Sequence, residues 1–334
     1  MTATAAPHNQ IIRLMQITPD QRDLEWIKTS LQAAIALELS TIPPYLCGWW
    51  SIRQPQQQAA LLIRGIVLDE MFHLGLVCNM LSAIGGTPQV IAAAAAYPGP
   101  LPGGVRPQLT VYLSGLTTTY VQEVFMEIEM PEHPLALVQE GPPTIGAFYD
   151  ALNEAFQQVQ PAISLNNQLS LGRIGANSLA PITDLAGVED SITLIKEQGE
   201  GTSTSPGAPQ AAGGFAHYYK FGEIYHGRAL RQVNGKWEFS GDVIAFPEVY
   251  PMGVVPAGGW PDPDPTVRGL LERFNTDYTS ILQDLETAWV QGDAATLRRS
   301  VGTMFALRGT AVELMGTPLP GGAGSYGPEF RVTT

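Results

Sequence analysis

The sequence predicts a mainly α-helical protein, a helical bundle with long loop-rich insertions, a small β-hairpin and a C-terminal helical hairpin. Apolar residues recur at helical spacing in several long segments, and Pro/Gly-rich stretches separate those segments. The alternation typical of strands surrounds Asn234-Gly235, a pair that favours a two-residue hairpin turn. At 334 residues the chain is long enough for a substantial core, and we predict a single domain over residues 1–334.

The first core helix is predicted over about residues 19–42. Thr18 has the features of an N-cap in a capping box with proline next to it. Pro43 and Pro44 are expected to disrupt the helix, because proline has no backbone N–H to donate. Glu38 falls one turn beyond the apolar stripe, so its carboxylate is predicted to face the core. That stripe consists of Leu24, Ile27, Leu31, Ala34 and Ile35.

The second core helix is predicted over residues 57–84. Glu70 and His73 interrupt its apolar stripe, and residues three apart in a helix lie roughly 60° apart around the axis. Both side chains therefore project into whatever the stripe packs against. The apolar positions are Leu62, Ile63, Ile66, Val77, Met80, Leu81 and Ile84.

Further along the chain, the periodicity predicts shorter helices and a closing helix pair. The helices are predicted over residues 144–159, 188–200 and 215–227, and the C-terminal helical hairpin over 266–315. Residues 201–214 contain little that could pack, so we expect a mobile loop that acts as a lid.

Glu38, Glu70 and His73 are predicted to bind a metal ion. Burying a carboxylate is costly unless it is paired or coordinates a metal. An acid and an imidazole that face inward from helices are the donors that carboxylate-bridged metal sites in helical bundles use. The alternative reading of a lone Glu-x-x-His is two polar residues on a solvated helix face, but the flanking residues here are apolar.

Glu200 and His217 are predicted to complete the metal site. Taking Val188, Ile192 and Ile195 as the buried face of their helix, Glu200 lies near that face just before Gly201, whereas Glu197 points away. His217 lies nearer than His226 to the aromatic side of the next helix. The alternative for His217 is a hydrogen-bonded core histidine. Glu127 and Glu129 are weaker candidates, more typical of helix-end charges.

Composition excludes several function classes. The formal net charge of −13 disfavours nucleic-acid binding, and no apolar run reaches the length of a membrane span. The N-terminus lacks the features of a secretory signal, so we expect a cytoplasmic protein. Cys47 and Cys78 are expected to pack as reduced, small apolar side chains.

Four runs resemble the ferritin-like domain of the iminophenylpyruvate dimer synthase family. They are residues 34–45 (AIALELSTIPPY), 69–73 (DEMFH), 198–201 (QGEG) and 216–221 (AHYYKF), within a similarity over about residues 10–318. This family includes enzymes of the violacein and rebeccamycin pathways and stand-alone members. The resemblance implies a ferritin-like bundle and oxidative chemistry in secondary metabolism.

The sequence departs from the family pattern at one position. The last His of the family is often preceded three residues earlier by Glu, and Gly214 stands there. The centre is therefore mononuclear, or it recruits another acid such as Glu127 or Glu223, with His226 as a further candidate.

The leading hypothesis is an oxidoreductase that uses iron or manganese, in a mono- or dinuclear site, with dioxygen or peroxide and a small-molecule substrate. Aromatic residues are expected to line its substrate pocket, with ordinary core packing as the alternative. Competing hypotheses are iron storage and a non-catalytic, ligand-binding protein. The oligomeric state, including a homo-oligomer, is left open.

Overall fold

Two long helices form the centre of the molecule. The computed structural model describes residues 9–131, 144–201, 205–207 and 214–333. Its helices are α1 (Gln10–Met15), α2 (Leu24–Ser51), α3 (Gln58–Ala83), α4 (Thr118–Tyr120), α5 (Ile145–Val159), α6 (Leu185–Gly199), α7 (His217–His226), α8 (Pro265–Gln291) and α9 (Ala294–Met315). A π-helix (Val121–Met126) continues α4, and short 3₁₀ helices cover Pro19–Gln21 and Pro102–Gly104.

The strands form small antiparallel pairs in the connections between helices. They are β1 (Gly99–Pro100) with β2 (Thr110–Val111), β3 (Leu171–Ile174) with β4 (Asn177–Leu179), and β5 (Arg228–Val233) with β6 (Lys236–Val243). In the last pair Val233 faces Lys236 across Asn234-Gly235, both of which have positive φ. The predicted mainly helical fold, with its β-hairpin and C-terminal helical hairpin, is confirmed.

Helix α2 differs from the prediction at both ends. Asp23 caps it, since its carboxylate accepts the Trp26 backbone N–H at 2.9 Å, whereas the Thr18 side chain makes no capping hydrogen bond. At the other end the helix continues through Pro43 and Pro44. The structure therefore corrects the predicted disruption.

A hydrogen bond from another segment satisfies one of the two carbonyls that these prolines leave without a helical donor. Pro44 cannot donate to the carbonyl of Ser40, but the Tyr97 hydroxyl donates to that carbonyl at 2.7 Å. Upstream, the hydroxyls of Ser40 and Thr41 donate to the carbonyls of Leu37 and Glu38. The Ser40 carbonyl thus has a partner that no local sequence pattern reveals.

The remaining helices cover the two sides of the α2–α3 pair. Helices α8 and α9 pack on each other and on one side of this pair, while α5, α6, α7 and the π-helix surround another side. Gly48 permits a close approach of α2 to the π-helix, because a Cβ there would lie 2.7 Å from Cζ of Phe125. No helix in the described ranges is both long and apolar enough to cross a bilayer.

Candidate metal centre

Two groups of buried donors meet between α2, α3, the π-helix segment and α7. One group is Glu38, Glu70 and His73, and the other is Glu70, Glu129 and His217. In each group the donor atoms lie within 4.8 Å of one another, and every one of the five residues is at most 7% exposed. Glu70 belongs to both groups, so its carboxylate could bridge two ions.

Both histidines present Nδ1 to the carboxylates. Nδ1 of His73 lies 3.6 Å from Glu38 Oε2 and 3.7 Å from Glu70 Oε1. Nδ1 of His217 lies 2.9 Å from Glu70 Oε1 and 3.7 Å from Glu129 Oε1. Despite its short distance to Glu70, this buried Nδ1 has no partner in hydrogen-bond geometry. A cation between the ring and the carboxylates would satisfy it.

Each of the three carboxylates accepts a hydrogen bond from a buried or nearly buried hydroxyl. Thr41 Oγ1 donates to Glu70 Oε2 at 2.7 Å, and Tyr45 donates to Glu129 Oε1 at 2.6 Å. Tyr149 donates to Glu38 Oε1. These bonds orient the carboxylates and offset part of the cost of burying them.

The two histidines are joined by a chain of hydrogen bonds behind the site. Nε2 of His217 lies 3.3 Å from Asp69 Oδ2, and Asn177 donates to the other Asp69 oxygen at 2.9 Å. Gln198 donates to Asn177 at 3.4 Å, and its Oε1 lies 2.8 Å from Nε2 of His73. With Nε2–H donating in both rings, Nδ1 is free to bind a metal ion, as in other histidine metal sites.

Asp69 also faces the ammonium group of Lys220, whose Nζ lies 3.5 Å from Asp69 Oδ2. Burial acts to raise the pKa of Asp69, but the His217, Lys220 and His73 groups outweigh it and the pKa is lowered. Burial lowers the pKa of Lys220 despite its acidic neighbours. Because Asp69 and Lys220 offset each other, the three carboxylates of the site leave about three negative charges for cations or protons to neutralise.

In the metal-free protein, protons supply part of that compensation. Burial raises the pKa of Glu70, and the charge of Glu129 raises it further. Burial lowers the pKa of His73 and His217, but the surrounding carboxylates outweigh it, and the pKa of His217 ends well above its usual value. Metal ions bound here would replace these protons.

The structure brings together four of the five predicted ligands: Glu38, Glu70, His73 and His217. Glu200 lies beside the site, and neither donor group of the described residues includes it. Its carboxylate accepts the backbone N–H of Gly146 at 3.0 Å, at the start of α5. Glu129 occupies the position expected for this second acid.

The other candidates from the sequence lie outside both groups. Glu223 accepts the Leu230 backbone N–H at 2.8 Å, and His226 is exposed with its ring stacked on Phe239 at 4.3 Å. Glu127 is half-buried, and Gly214, where the family pattern often has Glu, is exposed ahead of α7. The predicted lid falls mostly on residues 202–204 and 208–213, which lie outside the described residues.

Glu129, which the sequence indicates only as a weaker candidate, and Gln198, which has no predicted role, both show a signal in hindsight. Glu129 follows the buried residues Val121 and Phe125 at intervals of four, a spacing that continues from the π-helix. Gln198 is completely buried three residues after Ile195, so the buried face of α6 leads to it more directly than to Glu200. Gly199 leaves room for the Glu129 carboxylate, which a Cβ would approach to 3.3 Å.

A small cavity of about 40 Å³ adjoins the carboxylates. It has room for one or a few water molecules or a diatomic molecule. Half-buried Ile145, Lys196 and Glu200 form its outer wall between α5 and α6. Small reactants thus have space beside the donors.

Comparisons with known proteins identify the same fold. A family model described as Ferritin-like matches residues 31–226, a span that holds all five donors. The crystal structure of a ferritin-like protein from Caulobacter vibrioides is similar, with a TM-score of 0.64 and 24% sequence identity over 92% of this chain and 97% of that chain. At this identity the likeness shows the fold alone. No curated protein matches the chain.

Proposed function

This chain belongs to the ferritin-like family, and we propose that it is a metal-dependent oxidoreductase of the oxygenase or oxidase type. The observation that carries the proposal is the shared carboxylate of Glu70, which belongs to two buried donor groups. Each group combines two carboxylates with one imidazole. Such groups are typical of sites that hold two ions in helical bundles.

Iron and manganese are the ions that suit these donors best. Carboxylate oxygens and imidazole nitrogens favour both metals over soft thiolate-binding ions, and the described cysteines, Cys47 and Cys78, lie outside both donor groups. Glu38 and His73 would hold one ion, Glu129 and His217 the other, with Glu70 between them. Iron or manganese held there would pass electrons from the substrate, which is oxidised, to dioxygen or peroxide, which is reduced.

The chain's own residues prepare the site for such chemistry. Burial of the five donors excludes bulk water, and the cavity of about 40 Å³ admits a small oxidant next to them. Tyr45, Tyr149 and Thr41 hold the carboxylates through their hydroxyl protons. Since burial and the nearby carboxylates raise the pKa of both tyrosines well above its usual value, these hydroxyls keep their protons and stay donors.

The organic substrate is proposed to approach between α5 and α6. Lys196 and Glu200 are the charged groups on the outer wall of the small cavity there. The runs that resemble the iminophenylpyruvate dimer synthase family contain all the donors except Glu129. This resemblance supports a role in secondary metabolism as a stand-alone member of that family.

Oxygen consumption by the reconstituted protein tests the proposal. The metal-free protein is loaded anaerobically with Fe(II) or Mn(II), and oxygen uptake is followed with an electrode after mixing with aerated buffer. We expect protein-dependent uptake that Glu70→Gln abolishes and that Glu189→Gln, an exposed position on α6, leaves unchanged. Equal uptake by the wild type and Glu70→Gln would contradict the proposal.

A further inference from the structure

A second cavity, much larger than the one at the metal centre, lies between the α2–α3 pair and the C-terminal helices α8 and α9. Its volume is about 530 Å³, and β3 and β4 contribute a further wall. This volume is within the range of small-molecule sites, about 300 to 1,000 Å³. We propose that this apolar cavity binds an amphipathic organic anion, a carboxylate with an extended hydrocarbon body.

The apolar cavity is separate from the metal centre, although both use α2 and α3. On α3, Glu70 faces the donors while its neighbour Met71 lines the cavity; on α2, Glu38 faces the donors while Leu39 lines the cavity. Successive helical residues point about 100° apart. The two sites therefore occupy different sides of the same helices, and the proposed metal chemistry leaves this cavity unexplained.

The interior of the cavity suits a hydrocarbon body. Val67, Ile281 and Leu282 line it and are at most 3% exposed, so the cavity reaches into the core. Its lining otherwise consists of aliphatic, aromatic, Met, Pro and Gly residues, apart from three arginines. An apolar ligand body buried here would gain about 25 cal/mol for each Å² removed from water.

Three arginines give the cavity a positive charge. Arg64 and Arg173 are exposed and Arg308 is half-buried, so their charges lie toward solvent, where the cavity opens. No Asp or Glu belongs to the described lining, in a chain of net charge −13. Arg64 and Arg308 form no ion pair with any acid in the described part of the chain, and Arg173 donates to the Gly175 carbonyl at 3.1 Å. Guanidinium groups of this kind suit a carboxylate.

The depth of the cavity favours a small ligand over a second copy of the chain. A flat protein face would cover the opening, where Phe305 is 64% exposed, but it would not reach the buried wall formed by Val67 and Leu282. A chain-like apolar body fills this depth while its anionic end stays near Arg308.

Calorimetric titration with decanoate and with decanol tests the proposal on the full-length, metal-free protein. We expect decanoate to bind with a stoichiometry of one and more tightly than decanol. Arg308→Gln should weaken decanoate binding about tenfold and leave decanol binding unchanged, since a charge-assisted hydrogen bond is about twice as strong as a neutral one. The matched control Arg298→Gln, an exposed position on the same helix outside the cavity, should stay within about twofold of the wild type.

A cavity-filling variant separates binding inside the cavity from binding at the surface. Val301 is half-buried in α9 and lines the cavity, so Val301→Trp should abolish decanoate binding while the helical circular dichroism is retained. Decanoate binding that survives in Val301→Trp would overturn the proposal, as would equal affinities for decanoate and decanol. Absence of binding in a protein that sizing shows to be a dimer would assign the cavity to a second copy instead. None of these outcomes depends on metal, so the proposed oxidoreductase function is tested separately.

Discussion

The substitution Glu129→Gln removes one negative charge from the metal centre and keeps the shape of the side chain. Glu129 belongs to the donor group with Glu70 and His217, and it is absent from the group with Glu38 and His73. The structure therefore predicts that this variant loses one of two ions and keeps the other.

The distance between donors sets the size of the effect. Glu129 Oε1 lies 3.7 Å from Nδ1 of His217, the imidazole donor of the same group. An ion held by both donors would lie closer than this to the carboxylate, so the attraction of two unit charges at that separation, about 4.5 kcal/mol at an effective dielectric constant of about 20, is a lower bound. This corresponds to about a thousandfold in a binding constant. Because the amide oxygen of Gln still offers a weak donor, we expect a loss of at least about a hundredfold at this site.

Metal content after dialysis, measured by mass spectrometry, reads out the result. We expect Glu129→Gln to hold about half the metal of the wild type, and Glu123→Gln, an exposed position on the π-helix that precedes Glu129, to hold the full amount. Glu200→Gln should also keep both ions. If Glu200→Gln lost an ion and Glu129→Gln did not, the assignment of the second acid would be refuted.

Four further perturbations follow from the structure. Glu70→Gln should remove both ions, because its carboxylate belongs to both groups, as metal analysis would show. Asp69→Asn should weaken metal binding about 10- to 100-fold in chelator competition, since it removes the charged acceptor next to Nε2 of His217. Metal affinity should rise with pH, by up to about tenfold per pH unit, because the carboxylates around His217 raise its pKa and the metal must displace its proton. Calorimetry in buffers of different ionisation enthalpy would detect the released proton. Gly48→Ala should lower the free energy of unfolding by about 1–3 kcal/mol in urea, since its Cβ would lie 2.7 Å from Cζ of Phe125.

Matched variants and contrary outcomes accompany these predictions. One ion retained in Glu70→Gln would show that the groups do not share a carboxylate. Asp69→Asn is compared with Asp190→Asn, an exposed position on α6, and equal affinities would remove the role assigned to Asp69. If the metal affinity did not change between about pH 6 and 8, the proposed displacement of a proton by the metal would be contradicted. Gly48→Ala is compared with Gly65→Ala in α3, where nothing lies within 4 Å of the added Cβ and a gain of about 0.5–1 kcal/mol is expected; loss of stability in both would reject the packing argument.

Helical periodicity was enough to predict the fold class, but contacts over long sequence distances set the details of α2. The apolar stripe predicts α2 correctly up to Glu38. The hydroxyl of Tyr97, which satisfies the Ser40 carbonyl next to Pro43 and Pro44, comes from a loop that the pattern around the prolines does not contain. Local rules alone therefore ended this helix too early.

The same limit applies to the metal centre. Glu70 and His73 stand out because they interrupt an apolar stripe on one helix, and the structure places them in one donor group. Glu129 lies two residues before Pro131, where an acid is typical of a helix-end charge, so its spacing of four from Val121 and Phe125 does not by itself indicate a ligand. Gln198 is more deeply buried on α6 than Glu200, but a neutral amide is a less typical metal ligand than a carboxylate, so the sequence favours Glu200.

The most direct test of the account is the position of metal ions in a crystal of the full chain, located by anomalous scattering at the iron or manganese edge. We expect two ions that share Glu70, one bound by Glu38 and His73 and the other by Glu129 and His217. A crystal grown with either metal that shows no ion between these residues, or one in which Glu70 contacts a single ion, would contradict it.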